Sequence, residues 1–161
     1  MIVFLDFDGV LHPEETDNKA YLFCRLPLVE EVLREFPSAE IIISSAWRLN
    51  WPHQTVATLE LRKHFSDDIA ARVRGVTPNY IHLNRKDAPD GLYLYPRQWE
   101  CVMWLRAHRP VGTPWVALDD RAYWFRPFCE NLMEFDHNIA FTPEHQPELR
   151  ARLKAMQGGS S

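Results

Sequence analysis

The polarity pattern along the chain alternates between short apolar runs and longer amphipathic stretches. Ile2-Val3-Phe4-Leu5 is a continuous apolar run that stops at Asp6, as expected of a strand buried on both faces. Pro27 opens a helical pattern with Leu28, Val29, Val32, Leu33 and Phe36 on one face. Glu30 and Glu31 fall in its predicted first turn and Pro37 marks its end. Ile41-Ile42-Ile43 predicts a second strand, running into Ser44-Ser45. His53 to Phe65 predicts a helix carrying Val56, Leu59 and Leu61. Ser66-Asp67 predicts the cap of a short helix through Ile69 and Val73. Residues 76–91 are polar, with Pro78, Asn79, Pro89, Asp90 and Gly91, and predict a loop. Pro96 to His108 predicts a helix with Trp99, Val102, Met103 and Leu105 inward. Trp115 to Leu118 predicts a third strand ending at Asp119-Asp120, Leu132 to Phe135 a fourth, and Glu144 to Met156 a last helix.

Strands and helices in this order predict an α/β, Rossmann-like three-layer sandwich with a mostly parallel central sheet. In such sheets a ligand site lies beyond the carboxyl ends of the strands. Three predicted strands end on polar residues there: Asp6, Ser44 and Asp119. Gly9, in Asp6-Phe7-Asp8-Gly9-Val10, lets the backbone turn and leaves room for a ligand. Several carboxylates converging on one crevice repel unless a cation sits among them, and oxygen ligands suit Mg2+.

These motifs resemble the haloacid dehalogenase (HAD) superfamily of aspartate-nucleophile phosphotransferases, in order over residues 2–126. Ser-Ser-Ala-Trp-Arg (44–48) and Ala-Leu-Asp-Asp-Arg (117–121) further resemble HAD domains of bacterial RNA-repair proteins and, for the latter motif, polynucleotide 3′-phosphatases and small deoxyribonucleotidases. The resemblance implies a Mg2+-dependent phosphomonoester hydrolase. Asp6 would be the nucleophile and a metal ligand. Asp8 would be the general acid and base, with its backbone carbonyl on the metal. Ser44 would donate to a phosphoryl oxygen, and Asp120, with Asp119 beside it, would complete the metal site. The family also needs a cation opposite the phosphoryl group. Arg97, at the start of its helix, fits that place, with Arg85 and Lys86 as rivals.

Other residues near these motifs invite two readings each. Ser45 could serve through its backbone N–H, toward substrate, or as an N-cap. Arg48 and Arg121 could reach substrate phosphate or form surface ion pairs. Trp47, Trp51 and Trp124 could stack a nucleobase or fill the core. His12 could line the pocket.

Composition adds limits. The chain has 161 residues, 46% of them apolar and 25% charged, with formal net charge −4. That predicts one domain over residues 1–157 and a flexible tail over 158–161. It disfavours a strongly basic nucleic-acid module but allows a local basic track at Arg72, Arg74, Arg85 and Lys86. Cys24, Cys101 and Cys129 form no disulfide or zinc pattern, and no apolar run is long enough to span a membrane, so a cytoplasmic protein is the expectation. The first two motifs are separated only by residues 9–40, and residues 48–96 are short for a full inserted cap. A capless, open site suits a macromolecular substrate such as a nucleic-acid 3′-phosphate end. A small-nucleotide or phosphoprotein phosphatase, and a noncatalytic binding domain on the same fold, are the competing readings. The sequence leaves the oligomeric state open.

Overall fold

The computed structural model describes residues 1–159. Its centre is a five-stranded, all-parallel sheet in the order β3-β2-β1-β4-β5. The strands are β1 (Ile2–Leu5), β2 (Glu40–Ile43), β3 (Val73–Val76), β4 (Trp115–Asp119) and β5 (Leu132–Glu134). The helices are α1 (Leu26–Arg34), α2 (Gln54–Leu61), α3 (Asp67–Ala70), α4 (Pro96–His108) and α5 (Gln146–Gly158).

Strand alternation divides the core in two. Val3, Leu5, Ile41, Ile43, Val116 and Leu118 pack with Val29, Val32 and Leu33 of α1 and Leu149 and Leu153 of α5. Ile2, Phe4, Ile42 and Ala117 point to the other face, against Cys101 and Trp104 of α4. The chain runs outward from β1 through β2 to β3, then returns to the other side of β1 for β4 and β5. The reversal of strand order therefore lies between β1 and β4, the place where open α/β sheets bind ligands.

Several elements differ from expectation. Val73 belongs to an edge strand rather than a helix. The Val73-Arg74-Gly75-Val76 segment has only two buried apolar residues, and its register slips between Ile41 and Ile42, so it carries little periodic signal. The helix at 53–65 is shorter: α2 ends at Leu61 and a 3-10 turn, Arg62–His64, follows. Val56 and Leu59 are exposed, while Ala57 and Leu61 face the core. Residues 76–91 are not plain loop, because 3-10 turns form at Tyr80–His82, Arg85–Asp87 and Pro89–Leu94. On α4 the buried positions are Arg97, Trp99, Glu100, Cys101 and Trp104, while Val102, Met103 and Leu105 are half-buried.

Glu30 is not a dipole-facing acid in the first turn of α1. It is buried, accepts the Ser66 backbone N–H at 2.8 Å and the Ser66 hydroxyl, and so ties α1 to α3. Ser66 accordingly makes no side-chain cap on α3. Gly158 of the expected tail closes α5 and Gly159 caps it; residues 160–161 lie outside the described residues. The cysteines are all free. Among the described residues no helix is long and apolar enough to cross a membrane.

Candidate active site

The register places the site. Leu5 pairs with Ile43 on one side and Leu118 on the other. Asp6 N–H then donates to Leu118 O at 3.1 Å and Ser44 N–H to Leu5 O at 3.0 Å. Asp6, Ser44 and Asp119 therefore stand one step further, side by side at the carboxyl ends of the three central strands. Alternation turns them toward α4. Asp6, Asp119 and Asp120 bring carboxylate oxygens within 4.8 Å of one another. The Asp8 side chain is not in this trio; it meets His12 and Trp47, in the turn closed by Gly9 N–H to His12 O at 2.9 Å.

Arg97 enters from the first turn of α4. Its guanidinium donates to Asp119 Oδ2 at 2.8 Å, stands 3.6 Å from Asp6 Oδ1 and 3.5 Å from Glu100 Oε2, and lies over the Trp124 ring. The rivals are elsewhere: Arg85 is exposed and lies over Tyr93, and Lys86 is exposed on the same turn. The expected basic track does not form. Arg72 donates to Leu33 O and Phe36 O at 2.9 Å, and Arg74 pairs with Glu40 at the start of β2, both at the sheet edge opposite the acids.

Arg48 differs most from the substrate-reaching expectation. It is buried, with Nε on Thr77 O (2.9 Å), Nη1 on Ser44 O (2.8 Å) and Ser45 O (2.9 Å), and Nη2 on Pro78 O (3.0 Å) and Glu100 Oε1 (2.8 Å). These acceptors use all its N–H groups. Arg48 thus clamps the end of β2 to the end of β3, and Glu100 bridges it to Arg97. Ser45 caps the 3-10 turn Ala46–Asn50, accepting from Trp47 N–H at 3.3 Å. Arg121 is only one-third exposed; it pairs with Glu14 and approaches Asp120 Oδ2 at 3.7 Å. Trp47 and Trp51 pack against one part of the core and Trp124 against the other; Trp124 also lines a pocket beside Arg97, with Leu49, Tyr80 and Pro96.

The model of the HAD domain in Swiss Army Knife RNA repair proteins matches residues 2–146. The chain belongs to this HAD family. No curated protein and no solved structure matches it.

The electrostatics of this HAD domain favour a bound cation. Burial pushes Asp120 up to about 7, and the charges of Asp6 and Asp119 push the same way. Burial also raises Asp119, to about 7, against the pull of Arg97. Burial alone would lower Arg97, but Asp119, Asp6 and Glu100 outweigh it and hold it well above its ordinary value. Asp119 accepts N–H groups from Arg97 and from the Arg121 backbone, each at 2.8 Å. Asp120 Oδ1 is buried with no hydrogen-bond partner. Three clustered carboxylates, with Arg97 buried on one side and the partly exposed Arg121 3.7 Å from Asp120 on the other, plus an orphaned oxygen, are the donor set a hard divalent cation fits. A second trio, Glu14, Asp120 and His137, also brings ligand atoms within 4.8 Å. Glu14 and His137 escape sequence reasoning because they come from loops with no motif around them. The Glu14 N–H to His137 O bond, at 2.8 Å, joins the two loops.

Half-burial alone would raise Asp8, but hydrogen bonds from His12 and Trp47 and the charge of Arg121 hold it below the usual carboxylate value.

A divalent cation bound by this donor set should add about 2.7 kcal/mol of stability at about 100 times its dissociation constant. Asp120→Asn should remove most of that gain, as read by thermal unfolding with and without Mg2+. Gly9 has φ +75°, and a Cβ there would stand 2.4 Å from Asp120 Oδ2. Gly9→Ala should therefore push Asp120 aside, cost about 1–3 kcal/mol, and weaken Mg2+ binding measured by titration calorimetry. So Gly9 makes room for the Asp120 carboxylate.

Proposed function

We propose that this HAD domain is a Mg2+-dependent phosphomonoester hydrolase acting on nucleic-acid ends that carry a 3′-phosphate. The observation that carries the reading is the gathering of Asp6, Asp119 and Asp120 around Arg97 at the reversal of strand order. Asp6, Asp119, Asp120 and the backbone carbonyl of Asp8 would hold the cation, which supplies charge neutralisation at the nonbridging phosphoryl oxygens.

The protein's own groups do the rest. Asp6 Oδ1 accepts the Phe7 N–H at 2.9 Å and faces Arg97. Among the described residues no hydrogen bond reaches Oδ2, which is the attacking oxygen. It bonds to phosphorus as the bond to the leaving oxygen breaks, and Asp8, raised by the negative charge of the bound phosphate so that it holds a proton, gives that proton to the leaving oxygen. Water then attacks the aspartyl-phosphate, Asp8 takes its proton, and phosphate leaves Asp6 as a free carboxylate. Arg97 stabilises charge on the phosphoryl oxygens and Ser44 donates its hydroxyl to one of them.

Two features support a large substrate. Between β1 and β2 the described chain holds only α1 and a 3-10 turn, and between β2 and β4 it adds no second sheet, so the described residues carry no separate cap domain. The pocket beside Arg97 offers Tyr80, Leu49 and Trp124 to the group that bears the phosphate. The family's place in RNA repair supports a nucleic-acid end as that group.

The test measures phosphate release with Mg2+ from 3′-phosphorylated oligonucleotides, 5′-phosphorylated oligonucleotides, mononucleotides, phosphopeptides and an aryl phosphate. The 3′-phosphorylated oligonucleotides should be hydrolysed fastest. Preference for mononucleotides or phosphopeptides overturns the substrate assignment. No release from any of them leaves a binding domain on a HAD fold.

A further inference from the structure

The turn after the nucleophile folds back on itself and buries a histidine. Val10 N–H and Leu11 N–H both bond to Phe7 O, and Gly9 N–H bonds to His12 O, returning His12 to the side of Asp8. His12 is 1% exposed. Its Nδ1 accepts the Phe23 backbone N–H at 3.2 Å, so the ring carries its proton on Nε2. That nitrogen is 2.8 Å from Asp8 Oδ1. The other oxygen, Asp8 Oδ2, accepts the Trp47 indole N–H at 3.0 Å.

Each donor is itself held. The Phe23 ring packs edge-on against His12 and Trp47, both at 5.3 Å between centroids. Trp47 also packs edge-on against Phe7, at 5.8 Å. Its backbone is fixed by Ser45, the residue after Ser44 in the second strand-end motif. Asp8 of the first motif is thus gripped by one donor from its own turn and one from the turn that follows β2.

We infer that His12 and Trp47 are positioning residues for the general acid–base Asp8: each N–H occupies one carboxylate oxygen and fixes the carboxylate plane so that its remaining lone pairs meet the proton of the attacking water. The inference rests on the proposed role of Asp8. The step it serves most directly is hydrolysis of the aspartyl-phosphate. There water oxygen bonds to phosphorus, the bond from phosphorus to Asp6 breaks with its electron pair returning to the carboxylate, and the water proton passes to Asp8. A good leaving group departs from the first step without a proton, so loss of the clamp should strike the second step harder.

The test is rapid-mixing kinetics with 4-nitrophenyl phosphate and Mg2+ on the unchanged protein, His12→Leu, His12→Gln and Trp47→Phe. The first turnover of His12→Leu and of Trp47→Phe should stay within about threefold of the unchanged protein, while later turnovers slow by about 10- to 100-fold. A burst of nitrophenolate, one per active site, then precedes the steady state. Gln can accept the Phe23 N–H and donate to Asp8, so His12→Gln should recover most of the later-turnover rate. Trp47→Phe keeps an aromatic ring in the packing and serves if His12→Leu does not fold. Equal slowing of first and later turnovers, or a His12→Gln no better than His12→Leu, overturns the inference while leaving the phosphatase reading intact. An unchanged protein that releases neither nitrophenolate nor phosphate from a 3′-phosphorylated oligonucleotide overturns both.

Discussion

Asp6→Asn is expected to lower phosphate release by at least about 10⁴-fold, because a carboxamide cannot form the aspartyl-phosphate. The same substitution should not weaken the fold. Asp6 is buried beside Asp119 and Asp120, with Arg97 the guanidinium that faces it and Arg121 approaching only Asp120. Removing a charge from that group relieves repulsion, and Arg97 keeps Asp119 at 2.8 Å and Glu100 at 3.5 Å. Thermal unfolding in chelator should therefore give Asp6→Asn a midpoint equal to or above that of the unchanged protein. Lost activity with retained or increased stability separates a nucleophile from a structural acid, which would lose both together. Retained activity in Asp6→Asn would sink the proposed mechanism.

Arg48→Met should be the most destabilising single change near the site, at about 3–5 kcal/mol. Glu100 stays buried and loses its 2.8 Å partner. The carbonyls of Ser44, Ser45, Thr77 and Pro78 lose a donor at the same time. Denaturant unfolding reads the loss directly. Arg48→Lys should recover little of it, because an ammonium offers three donors from one point where the guanidinium spreads five.

The sequence made the acidic centre legible because its residues sit where apolar runs stop. Asp6, Ser44 and Asp119 each follow a buried strand, and in-register parallel pairing turns three separate run-ends into one row. Arg97 was legible from its place at the start of a helix. What stayed hidden depends on contacts that no period encodes. The inner face of α4 carries Arg97 and Glu100, so an apolar pattern for that helix points to Val102, Met103 and Leu105, which are only half-buried. β3 is too short and too polar to stand out, yet it supplies two of the carbonyls that hold Arg48, from the residues just past its end. The work of His12 and Trp47 is legible only once the turn after β1 and the turn after β2 are seen to meet over Asp8.

The position of β1 between β2 and β4 has a consequence for motion. The amide of Asp6 is hydrogen-bonded into β4, and that of Ser44 into β1. Both should exchange with solvent deuterium only when the whole molecule opens, whereas amides of edge strands β3 and β5 exchange through local fluctuations. The nucleophile would then share the protection of the most slowly exchanging part of the chain, and partial unfolding at either edge of the sheet would leave its geometry in place.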